Sequence, residues 1–218
     1  KKIKMEWVTK LCNETKQVWE QNGKYPKGGY AIFYSLPKIN PTIALIGYNP
    51  GGNEEDFDEQ NCTTPPTENE YLTANTKYPM AEKVRKIFDA GDLKWALADC
   101  VKFNLYFFRT KEAKDFNNKE MKEFCERKVE EILDEIKPKY IITEGFITYE
   151  RLKELLNAKE ERIIKEDINN RNIIKIGKTN KNISLIGMTH PSRTRRKGIG
   201  SINRMLTNIG LELKQIIK

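Results

Sequence analysis

Thr42-Ile-Ala-Leu-Ile-Gly-Tyr-Asn-Pro-Gly-Gly52 is the stretch on which the reading of this chain turns. Thr42 to Ile46 is too short for a helix and has no alternating polar face, so it predicts a strand buried on both sides, as in parallel sheets. A glycine-rich turn follows at once. Gly47, Gly51 and Gly52 allow the main chain to approach a neighbour closely, Pro50 fixes one dihedral, and the residue before a proline stays extended. Asn49 is thereby presented at the carboxyl end of a buried strand, where open α/β sheets hold their ligands. Taken alone, the stretch fits an ordinary turn equally well.

A second stretch repeats the design. Ile183-Ser-Leu-Ile-Gly-Met-Thr-His-Pro-Ser192 is another apolar run ending in a turn, and it carries the single histidine of the chain, His190. Lys139-Tyr-Ile-Ile-Thr-Glu-Gly145 predicts a third short strand, followed by a helix from Thr148 to about Asn157, a strand-turn-helix unit of the doubly wound type. Asn172 to Gly177 and Ile183 to Met188 flank a polar turn and suggest a hairpin. Helical spacing runs over Met5 to Gln21, Met80 to Ala90, Asn118 to Ile136 and Ile199 to Ile217. Gly28 to Pro37 predicts a further strand, and Trp95 to Phe108 a buried strand with its exit loop. Trp7 and Trp19 are expected to be core or docking residues.

The expected fold class is α/β, a single three-layer α/β/α domain with a mainly parallel central sheet. Residues 1–27 form a helical extension in this reading, and 53–79, acidic and then Thr/Pro-rich, a long loop at the active site.

Thirty-nine Lys and Arg against thirty-one Asp and Glu give a net charge of +8, which favours a polyanionic partner. Lysine-rich proteomes also make basic proteins without one, so the placement of the charge carries more than its sum. Arg193, Arg195, Arg196 and Lys197 follow His190 directly. The helix dipole disfavours cations at the start of the last helix, so a purely structural role fits them poorly. They could neutralise several phosphates, with Ser192 anchoring another. The four cysteines are widely spaced, no apolar amino-terminal segment suggests export, and no run reaches the length of a membrane helix, so an intracellular protein with free thiols is expected. The absence of a close Cys-x-x-Cys pair argues against an iron-sulfur cluster, and no cofactor is expected.

Gly47-Tyr-Asn-Pro-Gly51 and His190-Pro-Ser192 together resemble the two active-site motifs of the uracil-DNA glycosylase superfamily. The likeness runs from about Gly28 to the end and is nearest to the mismatch-specific and single-strand-selective branches, which carry Gly-x-Asn-Pro-Gly. It implies a monofunctional DNA glycosylase that hydrolyses the N-glycosidic bond of a flipped uracil or modified pyrimidine and leaves an abasic site. Asn49 would orient the water and His190 would hydrogen-bond the O2 of the base, with Gly47 and Tyr48 lining the base site. Phe103-Asn-Leu-Tyr-Phe-Phe108 resembles the segment whose Asn reads the pyrimidine edge, which points to Asn104. Asp99 is a rival reader, since a carboxylate accepts from the amino group of cytosine.

The chain departs from the family in three places. Asn61 and Cys62 stand where uracil-specific relatives carry a stacking aromatic, leaving Phe57 or Tyr71 as substitutes. Gly51 replaces a tyrosine that collides with substituents at the pyrimidine five-position, so bulkier bases such as hydroxymethylated or glucosylated cytosine in phage DNA become an alternative substrate, in a defence role. Arg193 and Thr194 imply an arginine wedge in place of the usual leucine. The implied partner is single-stranded or locally opened duplex DNA, met by a monomer. A catalytically silent nucleic-acid-binding member and an α/β nucleotide-handling hydrolase are the readings from other classes.

Overall fold

The structure, a computed structural model, describes residues 6–52, 54–57, 65–73, 79–166, 170–192 and 199–218. Its centre is a six-stranded sheet built from β1 (Ile43–Gly47), β2 (Val101–Asn104), β3 (Tyr140–Glu144), β4 (Lys159–Glu166), β5 (Arg171–Lys178) and β6 (Ser184–Met188), in the order β2-β1-β3-β6-β5-β4. The first four in that order run parallel, and β5 and β4 close one side antiparallel. Strand order reverses at β1, because β2 lies on one side of it and β3 on the other. Such a reversal, at the carboxyl ends of the central parallel strands, is the usual ligand position in sheets of this kind.

Helices cover both faces, which gives the expected three layers. On one face Ala44, Ile46, Phe103, Ile141 and Leu185 pack against α1 (Glu6–Gln21), α5 (Lys119–Ile136) and α6 (Phe146–Leu155). On the other, Ile43, Leu45, Ile142, Ile186 and Met188 pack under α3 (Pro79–Ala90), α4 (Lys94–Ala98) and α7 (Ile199–Ile216); α2 is the short Glu70–Thr73 turn before α3. Alternation along β1 divides its side chains between the two cores, as a strand buried on both faces requires. Between α3 and α7 a Cβ on Gly210 would lie 2.1 Å from the Ile87 carbonyl oxygen, so the two helices meet backbone to backbone there. Asn118 caps α5 by accepting a hydrogen bond from the Met121 N–H at 3.0 Å.

α1 is a full member of its layer: Val8, Leu11, Cys12 and Trp19 are in the core, and Trp19 Nε1 donates to the Pro26 carbonyl at 2.8 Å. The 172–188 hairpin forms as expected, with Ile174 to Lys178 pairing Met188 to Ser184.

Two local expectations are corrected. Gly28 to Pro37 is no continuous strand and makes only the isolated bridges Tyr30↔Phe108 and Phe33↔Phe103, because the Ser35 hydroxyl substitutes for main chain between Cys100 O and Lys102 N. Lys94 to Ala98 is a helical turn in place of a strand start, burying Ala96 and Leu97 while Trp95 faces outward at 52% exposure. β4 carries six charged residues in eight and buries only Ile164 and Glu166, so its sequence has the look of a solvated surface; its neighbour β5 specifies it. No described helix is long and apolar enough to cross a membrane.

Candidate active site

Because β1, β2, β3 and β6 are parallel, their carboxyl ends open onto one edge of the sheet, and the residues that leave them are Tyr48, Leu105, Gly145 and Thr189. The β1 exit continues in pairing: Leu105 N–H donates to the Gly47 carbonyl and Tyr106 N–H to the Tyr48 carbonyl, both at 2.9 Å. Asn49 therefore leaves a turn still tied to the segment that follows β2.

The orientation of the Asn49 amide follows from its neighbours. Thr110 Oγ1 donates its proton to the Glu112 carbonyl at 2.8 Å, so towards Asn49 it can only accept. Asn49 Nδ2 supplies that bond at 2.8 Å and makes a longer one of 3.3 Å to the Pro50 carbonyl. The carboxamide nitrogen is thus spoken for, and Oδ1 has no hydrogen-bond partner among the described residues. Pro50 is buried, its carbonyl also accepting from Thr110 N–H at 3.3 Å, and Arg109 Nη1 donates to the Gly51 carbonyl at 2.7 Å.

His190 is held with equal definition. Thr189 N–H donates to the Ile173 carbonyl at 3.0 Å and Thr189 Oγ1 to the Asn172 carbonyl at 3.1 Å, extending the β5–β6 pairing to the base of the turn. Ser192 N–H donates to His190 Nδ1 at 3.2 Å, and Ser192 Oγ lies 2.7 Å from the same nitrogen. An Nδ1 that accepts from a main-chain N–H carries a lone pair, so in the neutral ring the proton sits on Nε2. The imidazole packs on Gly145, where a Cβ would come within 3.2 Å of His190 Cβ and Cδ2. Gly145, at φ +111°, caps the amino end of α6.

Between the two turns lies Gly47, which is buried. A Cβ there would stand 2.3 Å from Asn104 Oδ1 and 3.1 Å from Glu144 Oε2, so both side chains close over the glycine. Asn104 is 5% exposed, and its carboxamide has no hydrogen-bond partner among the described residues. Glu144 accepts from the Tyr71 hydroxyl at 2.7 Å and lies 3.8 Å from Lys102 Nζ. Lys102 also pairs with Glu70 at 3.1 Å and stacks on the rings of Tyr34 and Tyr71. Burial raises the Glu70 carboxyl above its ordinary value, and Lys102 pulls against that shift.

The structure gathers some expected site residues and separates others. Asn49, Gly47, Asn104 and His190 share the carboxyl edge. Tyr48 is half-buried beside them with its ring edge-on to Tyr106 at 5.0 Å, and burial together with the Glu126 carboxylate raises its hydroxyl. Gly51 is exposed, and a Cβ there would meet nothing within 4 Å. Phe57 packs on Trp19 at 5.0 Å and Tyr30 at 6.0 Å, in the space left by Gly29, and belongs to the α1-side core. Tyr71 is buried and engaged with Glu144.

Asp99 is a correction. It ends α4 before β2 begins, bonds Lys38 Nζ, and accepts from Thr42 N–H at 2.6 Å, which fixes it to the amino edge of the sheet, a strand length from Asn104. It cannot read a base held at the carboxyl edge. Arg193, Arg195, Arg196 and Lys197, with Thr194, Asn61 and Cys62, lie outside the described residues. Thr110 and Glu144 join the site without being expected from the sequence, and the Lys102–Glu70 pair lies behind Glu144, outside the site itself. A charged residue inside a buried apolar strand, as in Val101-Lys-Phe-Asn104 and Tyr140-Ile-Ile-Thr-Glu144, is the available signal for two of them. Among the described residues no group of three or more His, Cys, Asp or Glu side chains is placed to hold a metal ion.

No family model matches the chain, and no curated protein matches it either.

Proposed function

We propose that this protein is a DNA glycosylase that hydrolyses the bond between a flipped pyrimidine and its deoxyribose. The observation that carries the reading is the pair of fixed polarities at the strand-order reversal: a carboxamide whose nitrogen is engaged, so that Asn49 Oδ1 faces outward as an acceptor, and an imidazole whose Nδ1 accepts, which puts the proton of the neutral ring on Nε2. In the proposed reaction a water adds to C1′ of the sugar while the bond from C1′ to the base nitrogen breaks and its electron pair leaves with the base. Asn49 Oδ1 accepts a hydrogen bond from that water and holds it below the sugar; as a neutral amide it positions the water and does not act as a strong base. His190 Nε2–H donates to the base O2 as charge gathers there, help worth roughly 3 to 4 kcal/mol for one such donor. The water's proton is lost to solvent, and the departing base takes one up.

A base in single-stranded, mismatched or weakened DNA leaves its stack at least expense and is the preferred target. The open space at Gly51 supports a pocket that accepts substituents at the five-position. The basic residues after Ser192 are proposed to hold the phosphates.

Oligonucleotides carrying uracil, mispaired thymine or 5-hydroxymethylcytosine, incubated with the protein and scored for released base by mass and for alkali-labile sites, test the reading. Release of at least one base is expected. DNA binding with no release from any oligonucleotide would favour a silent binding member. Cleavage of free nucleosides that is indifferent to added DNA would favour a nucleoside hydrolase.

A further inference from the structure

We infer that Glu144 is a specificity-determining residue that selects a base bearing an exocyclic amino group, a cytosine-type pyrimidine, over uracil. The inference rests on the glycosylase reading and names the substrate class of that site. Glu144 Oε2 and Asn104 Oδ1 converge on one point above Gly47, as the 3.1 Å and 2.3 Å approaches to a Cβ there require. Asn104 is a 95%-buried polar side chain, by its 5% exposure, aimed at this point with no hydrogen-bond partner among the described residues.

The two side chains differ in what they can discriminate. A carboxamide offers one donor and one acceptor, and a half-turn about its last bond exchanges them, so Asn104 suits the carbonyl and N–H of uracil or the amino group and ring nitrogen of cytosine. A carboxylate has no such freedom: it only accepts. Facing the O4 of uracil, Glu144 would set acceptor against acceptor; facing the N4 amino group of cytosine, it gains a charge-assisted bond. Its other contacts are few. The Tyr71 hydroxyl donates to Oε1 at 2.7 Å, and Lys102 Nζ, at 3.8 Å from Oε2, is shared with Glu70. Two carboxylates thus share one ammonium, leaving acceptor capacity for a ligand's N–H groups.

The test measures release of uracil, cytosine and 5-hydroxymethylcytosine from otherwise identical single strands by the wild-type protein and by Glu144→Gln and Glu70→Gln. Wild type is expected to release a cytosine-type base at least about tenfold faster than uracil, the discrimination one well-formed polar pair provides. Glu144→Gln, able to donate, should reverse or erase that ratio. Glu70→Gln removes the same charge beside Lys102 without reaching Gly47 and should leave the ratio unchanged. A ratio is insensitive to the fraction of folded protein, so a merely structural role would not move it. Wild type that releases uracil faster than cytosine-type bases, or a ratio that Glu144→Gln leaves unchanged, overturns the inference while the glycosylase reading stands. Release of no base from any strand defeats both together.

Discussion

Asp99 and Glu144 are two carboxylates at opposite edges of one sheet. The Asp99 side chain is 39% exposed, with one oxygen on Lys38 and the other on the Thr42 N–H, a closed arrangement that ties α4 to the start of β1. Glu144 is buried, stands over a glycine, and has beside it an amide without a partner among the described residues. The first arrangement is complete; the second keeps acceptor capacity for a ligand's donors. The difference teaches that position along parallel strands, more than residue type, decides which polar groups can do chemistry. Asn49, His190, Asn104 and Glu144, the residues assigned to the base and its bond, all lie on the edge where β1, β2, β3 and β6 end.

Substitutions at the two edges should therefore have opposite signatures. The largest effect is expected at Asn49: Asn49→Ala should slow base release by about 100-fold or more, the loss that follows when a reactant is no longer positioned, with DNA affinity nearly unchanged. Single-turnover rates beside binding isotherms would check this. His190→Ala should slow release by about 100- to 1,000-fold, the loss typical of one preorganised donor. Thr110→Val keeps the side-chain volume but deletes the acceptor that orients Asn49; we expect about a tenfold fall in single-turnover rate at unchanged affinity, the lower end of what misplaced catalytic groups lose. Arg195→Ala with Arg196→Ala should weaken binding to all sequences alike and lower the slope of log affinity against log salt by about 2, near one unit for each phosphate no longer neutralised. An unaltered slope would remove that segment from the interface.

The smallest effect belongs to the amino edge. Asp99→Asn should leave release and selectivity untouched and lower stability by about 1 kcal/mol or less, because a pair this exposed is screened by solvent. Burial pushes the Asp99 carboxyl up, but the hydrogen bonds from Lys38 and Thr42 outweigh it and hold the group below its ordinary value of 3.8. A depressed folded value means that its contribution is full above the unfolded value and is lost as pH falls through the folded one. The stability gap between wild type and Asp99→Asn should thus be present at neutral pH and vanish in acid below 3.8, as denaturant melts across pH would record. A gap that persists in acid would mean that packing, and not the charge, is what the substitution removes.

Much of this arrangement is legible in the sequence. The apolar run Ile43 to Ile46 stopping at glycine and the run before His190 are too short for helices, the helices show helical spacing, and the structure forms all of them. Periodicity cannot say which polar residues share an edge. Asp99 and Asn104 stand five positions apart, and only the short helix Lys94–Ala98 makes clear that the strand begins after the first and ends at the second. Phe57 is a stacking candidate only as a substitute, because Asn61 and Cys62 stand where the aromatic is expected; the space left by Gly29 beside Trp19 claims it instead. Thr110 carries no sequence signal at all, since its role depends on a carbonyl two residues later that fixes the direction of its hydroxyl. Glu144 is visible as an acid in a buried strand, but its significance rests on a glycine in another strand.

The most direct test is a crystal structure of the protein bound to a single strand carrying a 2′-fluorinated nucleotide that resists cleavage. The account predicts one extruded pyrimidine at the carboxyl edge, with a water hydrogen-bonded to Asn49 Oδ1 beneath C1′ and His190 Nε2 donating to O2 of the same nucleotide. A nucleotide bound elsewhere, or one touching only one of these two side chains, would contradict it.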